Sequence, residues 1–369
     1  MEYFDDINLK YLNVSYKQIC ILPKKIKYLT GLTDLLLSNN KISILPHEIK
    51  CLTYLKYLDI LHNHLSILPK DIKYLVKLQY LIISNNQLNI LPIEIKYLVN
   101  LQHLNISNNQ LDTLPKEIKY LTELVDFFLS NNQIEKLPKE IKYLTNLQYL
   151  DMSHNKISIL PKEIKYLFCL SYFDMSNNQI DKLPKEIKFL INLKLLNATN
   201  NQISSLPKEI KYLIHLNHFN LSNNLIKILP KEIKCLAELL SLDLSSNNIT
   251  ILLKQTKHLA KLEYLNISDN QINVLPKEIK YLVKLKYLNV LNNRLTRLPK
   301  EIKYLSYLQY LNMSDNQLIS LSKEIKYLIE LQYLYLVHNS VLYIPNTELR
   351  YSFASHISIL YNSNTKLSN

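Results

Sequence analysis

The sequence predicts an α/β solenoid, with parallel strands on the concave face, short helices on the convex face and one core between them. Three observations predict it. A sentence of 23 residues, such as LPKEIKYLTNLQYLDMSHNKISI from Leu137 to Ile159, recurs about fifteen times without losing phase, and self-similarity at a period of a few tens of residues marks stacked repeats. Each copy carries a stretch of period two and a stretch of helical period. Neither stretch is long enough to stand alone, so neighbouring copies must cover each other's open faces.

The phase is strict. All thirteen prolines share one column, from Pro23, Pro46 and Pro69 to Pro299 and Pro345, broken only by Leu253 and Ser322. Leu9 and every twenty-third residue to Leu331 is leucine, and Asn40 and every twenty-third residue to Asn339 is asparagine, with Lys17 in the first copy. Repeats therefore fill residues 9–345, leaving 1–8 as an N-terminal cap segment and 346–369 as a C-terminal cap and polar tail. The core needs closing at that end, and the segment from Val341 to Leu360, including YSFASHISIL, is the expected cover, with Tyr335 and Val337 assigned to the same cap.

In LQYLDMSHN the alternation predicts a short strand, Leu150 and Met152 pointing inward and Tyr149, Asp151 and Ser153 outward. In LPKEIKYLTNL the residues Leu137, Ile141, Leu144 and Leu147 fall on one face of a two-turn helix, with Pro138 at its first position, where a missing N–H costs least. Between the two the chain turns sharply and strands backbone groups away from water. An amide both donates and accepts, so the asparagine column, Asn155 and its equivalents, reads as a buried ladder that satisfies them.

The pattern LxxLxLxxN followed by IxxLPxEIxxLxxL resembles the leucine-rich repeat over more than nine-tenths of the chain. The 23-residue LPxEI form is similar to the intracellular scaffold subclass that includes Ras-binding and Scribble-type proteins. The resemblance implies a horseshoe-shaped solenoid and protein binding on its concave face. The scarcity of arginine, glycine and alanine beside abundant Lys, Asn, Ile and Tyr is similar to leucine-rich-repeat proteins of giant amoebal viruses, with AT-rich protists as the other candidates; a viral source would make the host cytoplasm the compartment.

Counting removes several classes of function. Phosphate-cradling loops need at least two glycines and the chain has one, Gly31. Catalytic domains of the family are appended to the repeats, and these flanks are too short to hold one, so no enzyme and no cofactor is expected. Cys20, Cys51, Cys169 and Cys235 form no CxxC pair and read as reduced, semi-buried spacers, and neither His62 and His64 nor His215 and His218 has a thiol or carboxylate at ligand spacing, so no metal is expected. The acidic start MEYFDD lacks the positive charge of a secretory signal. No stretch is apolar enough for a membrane span. A cytoplasmic monomer is expected, and the sequons at Asn13, Asn105, Asn197, Asn220, Asn266 and Asn312 read as by-products of the strand motif.

The net charge is +13. Its whole excess lies in the helix columns, where lysines such as Lys27 alternate with acids such as Glu48. This convex rim could hold polyanions or an anionic membrane as an alternative function, although the arginine forks typical of phosphate binders are absent and nucleic acid is not favoured.

Two tyrosine columns remain. Tyr28, Tyr74, Tyr97 and their equivalents precede the inward leucine of the helix and shield the convex edge. The other column projects from the strands: Tyr57, Tyr80, His103, Tyr149, Tyr172, Tyr264, Tyr287, Tyr310 and Tyr333. Rigid amphipathic tyrosine is enriched where proteins grip partners. Beside it runs an Asn/Asp column with Asp59, Asp151, Asp174 and Asp243, then a serine column expected to face outward as well. Against these polar columns stand Leu36, Leu61, Phe128, Leu195 and Leu291; Phe128, on one strand with Asp126, is the foremost anchor candidate. These residues predict a non-catalytic scaffold that docks a protein partner on its concave face, and the resemblance implies a host or signalling protein as that partner. The copy LLKQTKHL, Leu252 to Leu259, loses proline, acid and isoleucine together and is a candidate kink or weak spot.

Overall fold

Short period-two segments become three-residue strands in every copy, and each pairs in parallel with the same segment 23 residues away. The computed structural model describes residues 6–252 and 254–339, and the backbone of 343–344, 358–360 and 366–367. The chain divides into two units, Met1–Ile180 and Asp181–Asn369.

The first unit holds β1 (Tyr11–Asn13), β2 (Asp34–Leu36), β3 (Tyr57–Asp59), β4 (Tyr80–Ile82), β5 (His103–Asn105), β6 (Asp126–Phe128), β7 (Tyr149–Asp151) and β8 (Tyr172–Asp174). They form one parallel sheet in sequence order, Tyr57 pairing with Tyr80 and Tyr149 with Tyr172. The second unit repeats the plan with β9 (Leu195–Asn197), β10 (His218–Asn220), β11 (Ser241–Asp243), β12 (Tyr264–Asn266), β13 (Tyr287–Asn289), β14 (Tyr310–Asn312) and β15 (Tyr333–Tyr335). Each unit is thus a solenoid with strands on one side and helices on the other.

The central residue of every strand is buried. Leu58, Leu104, Phe127, Leu150 and Phe173 meet the helix-side Leu and Ile of their own and adjacent copies in a continuous core. The first and third strand residues lie on the opposite face, partly or fully exposed in β1 to β15 except for Asn289 and Asn312, which are buried.

The helices are shorter and tighter than the spacing predicted. Each is a five-residue 3-10 turn, such as Lys139–Tyr143. Ile141 N–H donates to Pro138 O at 3.0 Å, Leu144 N–H to Ile141 O at 3.0 Å and Leu147 N–H to Leu144 O at 3.2 Å. Residues three apart eclipse in a 3-10 helix, so the spacing of three and three among Ile141, Leu144 and Leu147 was the clearer signal. The physical reason is width. Strands repeat about every 4.8 Å, whereas an α-helix with side chains is roughly 10 Å across, and one helix per strand packs more readily when it is slim. Pro138 lies just outside the turn, extended at φ −69° and ψ 149°, and its carbonyl starts the hydrogen-bonded series.

The asparagine column is the expected ladder. Asn155 Nδ2 donates to Leu129 O at 3.0 Å, Met152 O at 3.1 Å and Ser153 O at 3.1 Å, while its Oδ1 accepts from Ile134 N–H at 2.9 Å. At the first copy, where Lys17 replaces asparagine, Asn40 Oδ1 takes the N–H groups of both Lys17 and Ile19. The residue before the ladder position is left-handed in copy after copy, with φ 53° at Asn108, 51° at His154 and 53° at Asp269. Gly31 is not among these residues.

Serines after the strands turn inward, contrary to the outward expectation. Ser84, Ser107 and Ser153 are buried. The chain has already left the strand there, and hydroxyls find partners nearby: Ser130 Oγ donates to Ser107 Oγ at 3.1 Å and Ser153 Oγ to Asp151 Oδ1 at 2.7 Å.

The copy from Leu252 to Leu259 keeps its 3-10 turn, Lys254–His258, and places Thr256 in the core where others place isoleucine. Its flanking strands pair in register, Ser241 with Tyr264. The backbone of Ser358–Leu360 adds a further parallel strand beside β15. The rest of the expected cover from Val341 to Leu360, the tail from Asn362 and the first five residues of the N-terminal cap lie outside the described residues, apart from the short strands Tyr343–Ile344 and Lys366–Leu367, which pair with each other.

Candidate functional site

The sheet face of each unit consists of two outward columns, the first and third residues of each strand. In the first unit the ring-bearing positions form a row: Tyr57 and Tyr80 at 5.7 Å between centroids, Tyr80 and His103 at 5.8 Å, His103 and Phe128 at 5.3 Å. A second group follows, Tyr149 and Tyr172 stacked at 5.8 Å. In the second unit Tyr264, Tyr287 and Tyr310 form a tighter stack, with 4.4 and 4.3 Å between centroids and planes 10° from parallel. Tyr333 tilts against Tyr310 at 6.4 Å. Tyr335 also reaches Tyr310, at 5.3 Å, and so joins the sheet-face row as well as adjoining the end of the array. Phe128 is half-buried against His103. Leu36, Leu61, Leu195 and Leu291 are half-buried as well.

The acidic residues flank these rings. Asp59 and Asp34 bracket Tyr57 along and across strands. Asp126 Oδ2 lies 3.2 Å from His103 Nδ1. Asp151 and Asp174 sit side by side on β7 and β8. Each third-position Asp also has a local structural task, its Oδ1 accepting the N–H two residues on: Leu61 for Asp59 at 2.8 Å, Ser153 for Asp151 at 2.9 Å and Ser176 for Asp174 at 2.8 Å. Asn105, Asn266 and Asn312 do the same, which spends the acceptor of those sequon asparagines inside the fold.

Partial dehydration and the carboxylates shape the titration of the face. Burial raises the Tyr57 phenol, and the charges of Asp59 and Asp34 raise it further. Tyr172 is pushed up to about 12, first by burial and then by Asp174 and Asp151. Burial lifts the Asp59 carboxyl above the usual range, opposed by the Leu61 N–H and Ser38. Tyr264 rises through burial and Asp243, and Tyr287 through burial and its two tyrosine neighbours.

Positions the sequence reading passed over complete the face. Tyr11 and Asp34 occupy the first column and Ile82 the third; all three could have been found by extending the columns to every copy.

The helix side differs. Its tyrosines are exposed, and the preceding lysine stands over each ring, Lys142 Nζ 5.0 Å from the Tyr143 centroid and Lys211 5.0 Å from that of Tyr212. Cys20 is exposed rather than semi-buried; Cys51, Cys169 and Cys235 are half-buried and all four are free. Among the described residues no group of three or more His, Cys, Asp or Glu could hold a metal ion, and no helix is long and apolar enough to cross a membrane.

Family models described as leucine-rich repeat region and leucine-rich repeat match residues 61–152, 189–249 and 284–341, with further single-repeat matches at 31–52, 146–167 and 261–282. No curated protein matches. Among solved structures, a leucine-rich-repeat protein of Leptospira interrogans is 36% identical, with a TM-score of 0.83 over 100% of this chain and 98% of that one. The plant peptide hormone receptor RGFR1 in complex with RGF2 is 27% identical, with a TM-score of 0.78 over 100% of this chain; the chain spans 64% of that receptor's length. The functional domain of InlJ from Listeria monocytogenes is 25% identical, with a TM-score of 0.79 over 92% of this chain and 69% of that one. The chain belongs to the leucine-rich-repeat family.

Proposed function

We propose that this protein is a non-catalytic binding scaffold that docks a protein partner on its sheet face. The observation that carries the reading is that both outward columns hold large or charged side chains where the fold asks for neither. Ser241 and Leu195 fill the first position as well as Tyr149 does, and asparagine fills the third as well as Asp151 or Phe128. The half-exposed rings supply rigid anchors and the carboxylates orientation. The plant receptor of this fold, seen in complex with RGF2, supports the use of such a scaffold for binding. Likeness to the LPxEI intracellular subclass supports a cytoplasmic monomer and a host or signalling protein as partner. The lysine rim is the alternative surface for polyanions or anionic membrane, but its lysines alternate with acids and stand over neighbouring tyrosines.

Capture of partners from cell extract tests the reading, comparing a sheet-face variant, F128N/Y149S/Y172S, with a rim variant carrying Lys-to-Glu changes at Lys116, Lys139 and Lys162. Loss with the first and retention with the second is expected. Retention with the first, and loss with the second or at high salt, assigns binding to the rim and overturns the proposal.

A further inference from the structure

Resting on the sheet face as the docking surface, we propose that β6, β7 and β8 form a receptor for a cationic, extended segment of a partner protein, seating arginine or lysine side chains between rings and carboxylates. The pairing register builds the patch. Asp126, Tyr149 and Tyr172 lie in one row across the three strands, and Phe128, Asp151 and Asp174 in the next. Three rings and three carboxylates thus share a patch about 10 Å wide at roughly 4.8 Å per strand. Tyr149 and Tyr172 are stacked at 5.8 Å. A guanidinium is flat and weakly hydrated; it stacks on a ring while its edge donates to a carboxylate, and an ammonium uses the same partners less specifically.

The charges are not imposed by the fold. Asp151 and Asp174 accept the N–H two residues on, a task asparagine performs at Asn105, Asn220, Asn266 and Asn312. Instead two carboxylates are adjacent across a strand pair, an unfavourable juxtaposition in a sheet, and a bound cation relieves it. The chain's own cations are elsewhere. Neither outward column of β1 to β8 contains lysine or arginine, and every lysine-over-ring pair among the described residues lies on the helix side, as with Lys142 and Tyr143. A molecule of net charge +13 therefore keeps one surface of opposite sign, which steers a basic segment toward it and away from the rim. The Tyr172 phenol, raised first by burial, is raised further by the charges of Asp174 and Asp151. In an extended segment alternate side chains are about 7 Å apart, within the span of the patch.

Fluorescence anisotropy of the full chain with a labelled Arg-Ser octapeptide, and with its citrulline counterpart, tests this. The arginine peptide is expected to bind at least tenfold more tightly than the citrulline one. D151N/D174N and Y149S/Y172S, each borrowing residues other copies already use, are each expected to weaken binding at least fivefold with secondary structure unchanged. E140Q, on the helix side, is expected to change it less than twofold. The proposal is overturned if the arginine peptide binds less than threefold more tightly than the citrulline peptide, or if D151N/D174N binds it within twofold of the parent. If it is overturned while F128N/Y149S/Y172S still loses the natural partner, the sheet-face reading stands without the cationic one; if rim variants alone lose that partner, both fall.

Discussion

Tyr264 and Tyr287 lie face to face on adjacent strands, with 4.4 Å between centroids and planes 10° from parallel, and Tyr310 extends the stack at 4.3 Å. Such a stack shields the phenols from water and sets each beside another, so ionising one is disfavoured. Burial is the first cause of the rise at Tyr264 and Tyr287, as it is at Tyr172, where the value reaches about 12. A phenol whose folded pKa exceeds its unfolded value of about 10 holds its proton longer when folded. Its contribution to stability is complete below pH ~10 and is lost as pH rises toward the folded value. Urea midpoints are therefore expected to fall between pH 10 and 12, and Tyr287→Phe, which cannot ionise, is expected to flatten part of that fall. Equal slopes in parent and variant would show that the stack does not control it.

Asp59 gives the same sign on a carboxylate, lower on the pH scale. Its carboxyl is raised mainly by burial, so the charge is carried at a cost that is absent when the group is protonated. Asn at this position keeps the bond from the Leu61 N–H, as Asn105 does from Ser107. Asp59→Asn is expected to be at least as stable as the parent at pH 7, with the difference closing as pH falls through the carboxylate range. A variant less stable at pH 7 would mean that the charge itself holds the fold there.

Asn155 makes four hydrogen bonds to backbone groups, reaching Leu129, Met152, Ser153 and Ile134. Asn155→Ala leaves those groups buried without that partner, for about 2–4 kcal/mol. Asn155→Asp keeps the acceptor but removes both donors and buries a charge, so it is expected to be no better. Because stability in a repeat array is held by neighbour contacts, hydrogen exchange should speed up first at the Ile134 amide and the copies around it. A uniform change along the chain would count against this local picture.

How much of this was legible depended on whether a column carried one physical demand or two. The leucine and asparagine columns carry one each, burial and backbone satisfaction, and strict periodicity made both plain. Pro138 was misplaced by one position because an α-helix and a 3-10 turn share the first part of their pattern, and the deciding constraint, the narrow space each helix has beside its strand, is not local. Ser153 read as outward because strict alternation was carried past the strand's third residue. Asp151 and Asp174 carry two demands, closing a turn and presenting charge, and only the hydrogen bonds of the folded chain separate the first from the second. The reading of the partner surface rests on that remainder.

The left-handed column was the least legible, because a chain with one glycine gives no conformational flag there. Asn108 stands at φ 53°, its N–H donating to Ser130 O at 2.8 Å and its carbonyl accepting from Asn86 N–H at 3.2 Å. The turn directs the following Asn109 into the ladder. Asparagine, aspartate and histidine tolerate this region better than other residues with a Cβ, and β-branched residues tolerate it least. Asn108→Val is therefore expected to cost about 1–2 kcal/mol or more, and Asn108→Gly to be neutral within about 0.5 kcal/mol, its freedom in the turn offset by entropy lost from the unfolded chain. Gln110→Val, at an exposed position without positive φ, is the control and should change little. Chemical denaturation of the three variants decides the matter: if valine costs no more at Asn108 than at Gln110, the turn is not the constraint that keeps asparagine there.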